Sequence, residues 1–252
     1  MALKRDLRNL VRRAGFDIRR AGPFSTPDAK LVRALEFFEI DLVLDIGANT
    51  GQFASGIRGE GYKGRIVSFE PLSTAHERLR ERARADSEWI VHGRCAIGAE
   101  DTSDKINVSR NSVSSSLLPM LETHKKAATD SGYIGTEEVP IYKLDTVAKP
   151  YLELALKPFV KIDTQGSEWH VLDGAVSSVQ QFAGIMCELS LVELYDSQRL
   201  WFDIMRRLEA LGFALWAINE GFTDPRTGRS LQVDGIFFRE REWSATGHCH
   251  LG

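Results

Sequence analysis

Cysteine is scarce: the 252 residues include three, Cys95, Cys187 and Cys249, widely spaced and odd in number. That excludes a disulfide framework and a cysteine-built zinc site, and it suits a reducing, cytoplasmic setting. No apolar run approaches the ~20 residues needed to cross a bilayer, so no transmembrane segment is expected. Neither sign of charge is in excess: 32 Lys and Arg against 35 Asp and Glu leave a formal net charge of −3. That balance gives no footprint for long nucleic acid, and a small-molecule or oligosaccharide partner is expected instead. The opening stretch "MALKRDLRNLVRRAGFDIRR" is basic but lacks the unbroken apolar core of a signal peptide. Its Leu3, Leu7, Leu10 and Val11 recur at helical spacing. Such a helix could pack on the domain or lie on an anionic surface.

What is present is a regular alternation. After the linker "AGPFSTP", Pro27 opens a helix through about Phe38. The apolar stretches "LVLDIG" (42–47), "RIVSFEP" (65–71) and "EWIVHG" (88–93) read as strands, separated by helical 51–60 and 73–85. The pattern resumes with "FVKID" (159–163), a helix over 167–181, "AGIMCELS" (183–190), a helix over 198–211, "GFALWAIN" (212–219) and "QVDGIFFRE" (232–240). Apolar strands alternating with amphipathic helices predict an α/β, doubly wound, mostly parallel sheet covered on both faces. The stretch 98–150 is less regular and reads as an insertion, with strands at 105–109 and 137–144 around a serine run. Pro140 places the second of these strands at an edge or an irregularity.

"LVLDIGANTGQF" puts Asp45, Gly47 and Gly51 at the end of a strand and the start of a helix. Gly47 permits a tight turn and close approach of a ligand, and Gly51 opens a helix with free N–H groups. Asn49 stands where a dinucleotide fingerprint has its second glycine, and no Lys-Ser/Thr follows as in a triphosphate loop. The next strand ends in Glu70, 25 residues after Asp45, where an acid accepts hydrogen bonds from ribose hydroxyls.

The ordered series "LVLDIGANTGQF", "VSFEP", "AIG", the serines before "LLPM", "LDTV" and "VKIDTQGSEWHVLDGA" resembles the FkbM-type methyltransferases, a family of class I S-adenosylmethionine-dependent enzymes. The likeness covers roughly residues 40–240. It implies a Rossmann-like, seven-stranded sheet with its last strand antiparallel. The division that follows is an N-terminal helical extension (1–39), a catalytic domain (40–240) with the insertion at about 98–150, and a tail (241–252). By the same resemblance, Asp45, Gly47, Asn49 and Gly51 surround the methionine part of the cofactor, and Glu70 takes the ribose hydroxyls. Pro71 and Leu72 lie beside the adenine, Cys95 and Ala96 lie at its edge, and Ser115 and Ser116 contact the cofactor or close the pocket. The expected reaction is O-methylation of a saccharide or other polyhydroxylated intermediate.

A sugar hydroxyl is a poor nucleophile at neutral pH, so a general base or a divalent metal is needed. Asp163 ends "FVKID" and Glu188 ends "IMCE", so both carboxylates open on one rim. Asp163, Glu188 and His170 are the candidate catalytic residues, and Asp163 with Glu188 is a candidate Mg²⁺ pair beside the metal-free alternative. Asp234 and His124 are weaker candidates. Glu168 could instead cap its helix, and His170 could be solvated. The family motif usually has Glu where this chain has Gln165, which removes one acid from the rim. A nicotinamide-dependent oxidoreductase and a non-catalytic cofactor-binding scaffold are the competing readings. A homodimer is among the assemblies left open.

Overall fold

The apolar strands Leu42–Ile46 and Pro158–Ile162 bury every residue on both faces, so local sequence and packing agree on a central, covered position. The structure is a computed structural model and describes residues 25–239, with Val11 and Arg13 besides. The expected helix over residues 3–11 and the tail lie outside the described residues, apart from Val11. Thr26 caps the first helix, α1 (Pro27–Phe37), accepting at Oγ1 from the Ala29 N–H at 3.0 Å. Then follow β1 (Leu42–Ile46), α2 (Gln52–Gly59), β2 (Arg65–Phe69), α3 (Ser73–Ala83) and β3 (Trp89–Val91). The insertion holds β4 (Ala96–Ile97), β5 (Thr102–Ser109), α4 (Glu122–Ala127) and β6 (Tyr133–Tyr142). The remainder is α5 (Leu144–Val147), α6 (Lys149–Leu152), β7 (Pro158–Ile162), α7 (Glu168–Asp173), β8 (Gly184–Ser190), α8 (Trp201–Ala210), β9 (Phe213–Glu220) and β10 (Gln232–Arg239).

The seven strands run β3-β2-β1-β7-β8-β10-β9, and the last, β10, is antiparallel to both neighbours. Alternate residues face opposite layers. Val43, Ile66, Phe159 and Phe238 pack under α1–α3 with Leu35, Ile57 and Leu79, while Leu44, Val67, Val160 and Ile185 pack under α7 and α8 with Leu172 and Leu208. The crossover reverses at β1, which pairs with β2 on one side and β7 on the other. That switch point is where a doubly wound sheet opens a crevice at its carboxyl end.

The insertion forms its own three-stranded sheet, β4-β6-β5. Pro140 lies on β6, the middle strand, against the expectation of an edge. Since β4 pairs only with Ile141 and Tyr142, β6 has a neighbour on one side alone at Pro140, so the rule against central prolines is not broken. The helix expected over 167–181 is shorter, ending at Asp173. Gly174 caps it where the backbone passes so close to Gly98 that a Cβ would overlap the Gly98 carbonyl oxygen.

Candidate active site

The turn after β1 is built by close backbone approach. Gly47 has φ +76°, and a Cβ there would overlap the carbonyl oxygen of Asp163 across the β1–β7 pair. Asn49 is also left-handed, with φ +47°, a conformation that asparagine tolerates better than most residues. Its amide N–H donates to Glu70 Oε2 at 2.7 Å, and Glu70 Oε1 accepts from the Leu72 N–H at 2.8 Å. Glu70 thus ties two loops together while it lines the cavity described next. Burial pushes its pKa up to about 7, against the pull of those two N–H groups.

A cavity of about 470 Å³ opens above these loops. One end is walled by Glu70, Pro71, Leu72, Cys95, Ala96 and Ile97. The insertion closes a side with Ile106, Ser112, Val113, Ser115 and Leu117. Lys161, Asp163, Gln165 and Asp234 also line the cavity, as does Asp28 of α1. Cys95 is a neutral wall, since burial and the nearby Glu70 raise its thiol to about 12.

Gly47, Asn49, Glu70, Pro71, Leu72, Cys95, Ala96, Ser115 and Asp163 therefore share one cavity. The other expected residues are outside its lining, each for a visible reason. Asp45 is completely buried beneath the turn, where Oδ1 pairs with Lys161 Nζ at 3.2 Å and Oδ2 accepts from Ser68 Oγ at 3.3 Å. Gly51 has φ +87° and seats the start of α2 against Leu79 and Trp89, leaving no room for a side chain. Ser116 turns its hydroxyl away to donate to the Gln165 carbonyl at 2.6 Å. His170 is exposed on the outer face of α7, and His124 is packed against Tyr195 and Phe222 in the insertion.

Glu188 is held behind Gln165. The Gln165 amide Nε2 donates to Asp163 Oδ1 at 2.9 Å and lies 3.1 and 3.0 Å from the two Glu188 carboxylate oxygens. Tyr195 donates from its hydroxyl to Gln165 Oε1 at 2.8 Å, which fixes the amide with its nitrogen toward the acids. The two carboxylates thus share an amide donor, and Asp163 Oδ2 is 3.3 Å from the Lys161 ammonium. This donor set does not fit a resident divalent ion, which is how the Mg²⁺ expectation is corrected. Among the described residues no group of three or more His, Cys, Asp or Glu could hold a metal.

Glu168 faces inward but organises backbone. It accepts from the Thr164 N–H at 2.9 Å, the Thr164 hydroxyl at 3.2 Å and the Gly166 N–H at 3.1 Å, shaping the turn in which Gln165 and Gly166 have φ of +54° and +101°. Glu168→Ala strands those buried donors, so urea denaturation should show a loss of about 2–3 kcal/mol. The sequence reading overlooked Lys161, although a lysine inside "FVKID" between buried positions was itself a signal that it meets an acid.

No curated protein sequence matches the chain. Among solved structures it is similar to the methyltransferase domain of bacterial CtHen1-C, at 10% identity and a TM-score of 0.44 over 84% of this chain and 96% of that one. It is also similar to the O-methyltransferase NcsB1 from neocarzinostatin biosynthesis, at 10% identity and a TM-score of 0.40 over 84% of this chain and 56% of that one. The Methyltransferase FkbM domain matches residues 45–215, from the acid beneath the glycine turn to the middle of β9, and the chain belongs to that family.

Proposed function

We propose that the chain is an S-adenosylmethionine-dependent O-methyltransferase acting on a hydroxyl of a saccharide or another polyhydroxylated small molecule. One observation carries the reading: a single cavity joins the Gly47–Asn49 turn and the Glu70–Cys95 wall to the Lys161–Asp163–Asp234 wall. The first part fits the donor. Gly47 gives a bare backbone surface, and each Glu70 oxygen has a lone pair left for a ribose hydroxyl after accepting one N–H. Apolar Leu72, Ala96 and Ile97 offer a slot for a flat ring. When bound, the cofactor supplies an electrophilic methyl group on a sulfonium.

The rest of the chemistry belongs to the protein. In-line transfer asks chiefly for alignment, which can supply roughly 7–11 kcal/mol. Asp163 is suited to orient the acceptor, because Lys161 and Gln165 fix both of its oxygens while 36% of its side chain stays exposed. The insertion contributes Ile106, Val113 and Leu117 as an apolar side of the cavity. Lys161 is committed to Asp45, Asp163 and the Gly47 carbonyl, which it reaches at 2.9 Å. Among the described residues the lining offers no uncommitted cation for a phosphate-bearing acceptor, and this favours an uncharged one.

Isothermal titration with S-adenosylmethionine, S-adenosylhomocysteine and NAD tests the donor, and a screen with labelled methyl cofactor over saccharides, phenols and RNA oligonucleotides tests the acceptor. Binding of NAD alone sinks the reading. Glu70→Ala should weaken S-adenosylhomocysteine binding by about 1–3 kcal/mol, roughly 5- to 150-fold. An unchanged affinity removes Glu70 from the ribose role.

A further inference from the structure

We propose that Asp234, on the last strand, is the group that takes the proton from the acceptor hydroxyl, with Asp163 beside it as the positioning carboxylate. The inference rests on the methyl-transfer reading above. It begins with strand register. Ile162 of β7 is paired with Cys187 of β8, and Glu188 of β8 is paired with Asp234 of β10. Asp163, Glu188 and Asp234 therefore follow one another across three neighbouring strands, about 4.8 Å from strand to strand.

The three acids are not equivalent. Asp163 accepts from Gln165 at one oxygen and pairs with Lys161 at the other. Glu188 faces the Gln165 amide with both oxygens and is outside the cavity lining. Asp234 lines the cavity, and its carboxylate has no hydrogen bond or ion pair with another described residue. A base must have a lone pair free to receive a proton, and hydrogen bonds to the charged form lower a carboxylate's basicity. Of the three, Asp234 alone meets both conditions at the cavity surface.

Its surroundings raise its proton affinity. From β7 it is faced by Asp163 and Lys161, from β8 by Glu188; its partner on β9, Asn219, is neutral, and Asp28 of α1 lines the same cavity. Burial, then the Asp163 charge, push Asp234 up to about 7, against Lys161. A base titrating there is matched to a hydroxyl substrate at neutral pH. In the step, the acceptor oxygen bonds to the methyl carbon as the carbon–sulfur bond breaks. The bonding pair stays on sulfur, which becomes a neutral thioether, and the hydroxyl proton passes to the Asp234 carboxylate. The products are a methyl ether and the demethylated cofactor.

Asp234→Asn and Asp163→Asn are compared with the wild type, each first shown by calorimetry to bind S-adenosylhomocysteine. Asp234→Asn should lower kcat about 10²- to 10⁴-fold with KM nearly unchanged. The wild-type kcat should rise with pH through a limb near 7, which Asp234→Asn loses and Asp163→Asn keeps but moves to lower pH, because the Asp163 charge no longer raises Asp234. Infrared difference spectra, which need no acceptor, should show protonated-carboxyl intensity titrating near pH 7 in the wild type, where Glu70 also titrates, and the Asp234→Asn spectrum should lack one carboxyl's share of it. Retained turnover, a retained limb, or infrared intensity near pH 7 that is undiminished in Asp234→Asn would each overturn the assignment while leaving the methyl-transfer reading intact. A wild type that binds no S-adenosylhomocysteine and methylates nothing overturns both.

Discussion

Gly47→Ala should lower the free energy of unfolding by about 3–5 kcal/mol and abolish S-adenosylhomocysteine binding. Two costs add. A left-handed φ of +76° penalises any Cβ by roughly 1–2 kcal/mol, and the new methyl group overlaps the Asp163 carbonyl oxygen. Backbone on both sides cannot rotate away as a side chain would, so β1 and β7 must separate where the cavity begins. Gly61→Ala is the control: it has φ +106° but nothing within 4 Å of a built Cβ. It should show the dihedral cost without the steric one, at about 1–2 kcal/mol, and leave ligand binding unchanged. Equal losses in the two variants, by urea denaturation, would show that the close approach to Asp163 carries no energy.

That contact marks where the sequence stops being legible. The strands and the order of their acids could be read from apolar runs ending in Asp45, Glu70, Asp163 and Glu188, because a parallel sheet imposes the pattern locally. Glu70 and Asp163 could be placed on one rim by the same logic. Register across strands could not be read, since it depends on how three distant segments pair. The place of Asp234 beside Glu188 was therefore not legible, nor was the turn of Glu188 toward the Gln165 amide. Gln165 was noted as a missing acid; its amide in fact joins two acids, a role visible only with Tyr195 behind it. His170 was drawn in by proximity in sequence, yet α7 buries Glu168, Val171 and Leu172, and a residue two positions from Glu168 faces elsewhere. The two-residue strand β4 is too short for any periodicity to reveal.

The same residues form one polar chain under the cavity. Trp89 Nε1 donates to Ser68 Oγ at 2.9 Å, Ser68 to Asp45, and Lys161 then bridges Asp45 to Asp163, which Gln165 links to Glu188. Lys161 is its keystone: it is 5% exposed, and two carboxylates outweigh burial to raise its pKa and keep it charged. Lys161→Met should therefore cost about 3–5 kcal/mol at pH 7, because Asp45, with no solvent exposure, would be left as an unpaired buried charge. The loss should depend on pH with a definite sign. Burial already raises Asp45, and without the lysine nothing comparable opposes it, so its folded pKa rises further above the unfolded value of about 3.9. The folded variant then holds a proton that the unfolded chain has released, and stability falls as pH rises through that window. The deficit against wild type should thus be larger at pH 8 than at pH 5. Adding Asp45→Asn removes the stranded charge, and the double variant should recover much of the loss and flatten the pH dependence. If urea denaturation shows equal deficits in single and double variants, or a deficit independent of pH, the Asp45–Lys161 pair is not what supports the floor of the site.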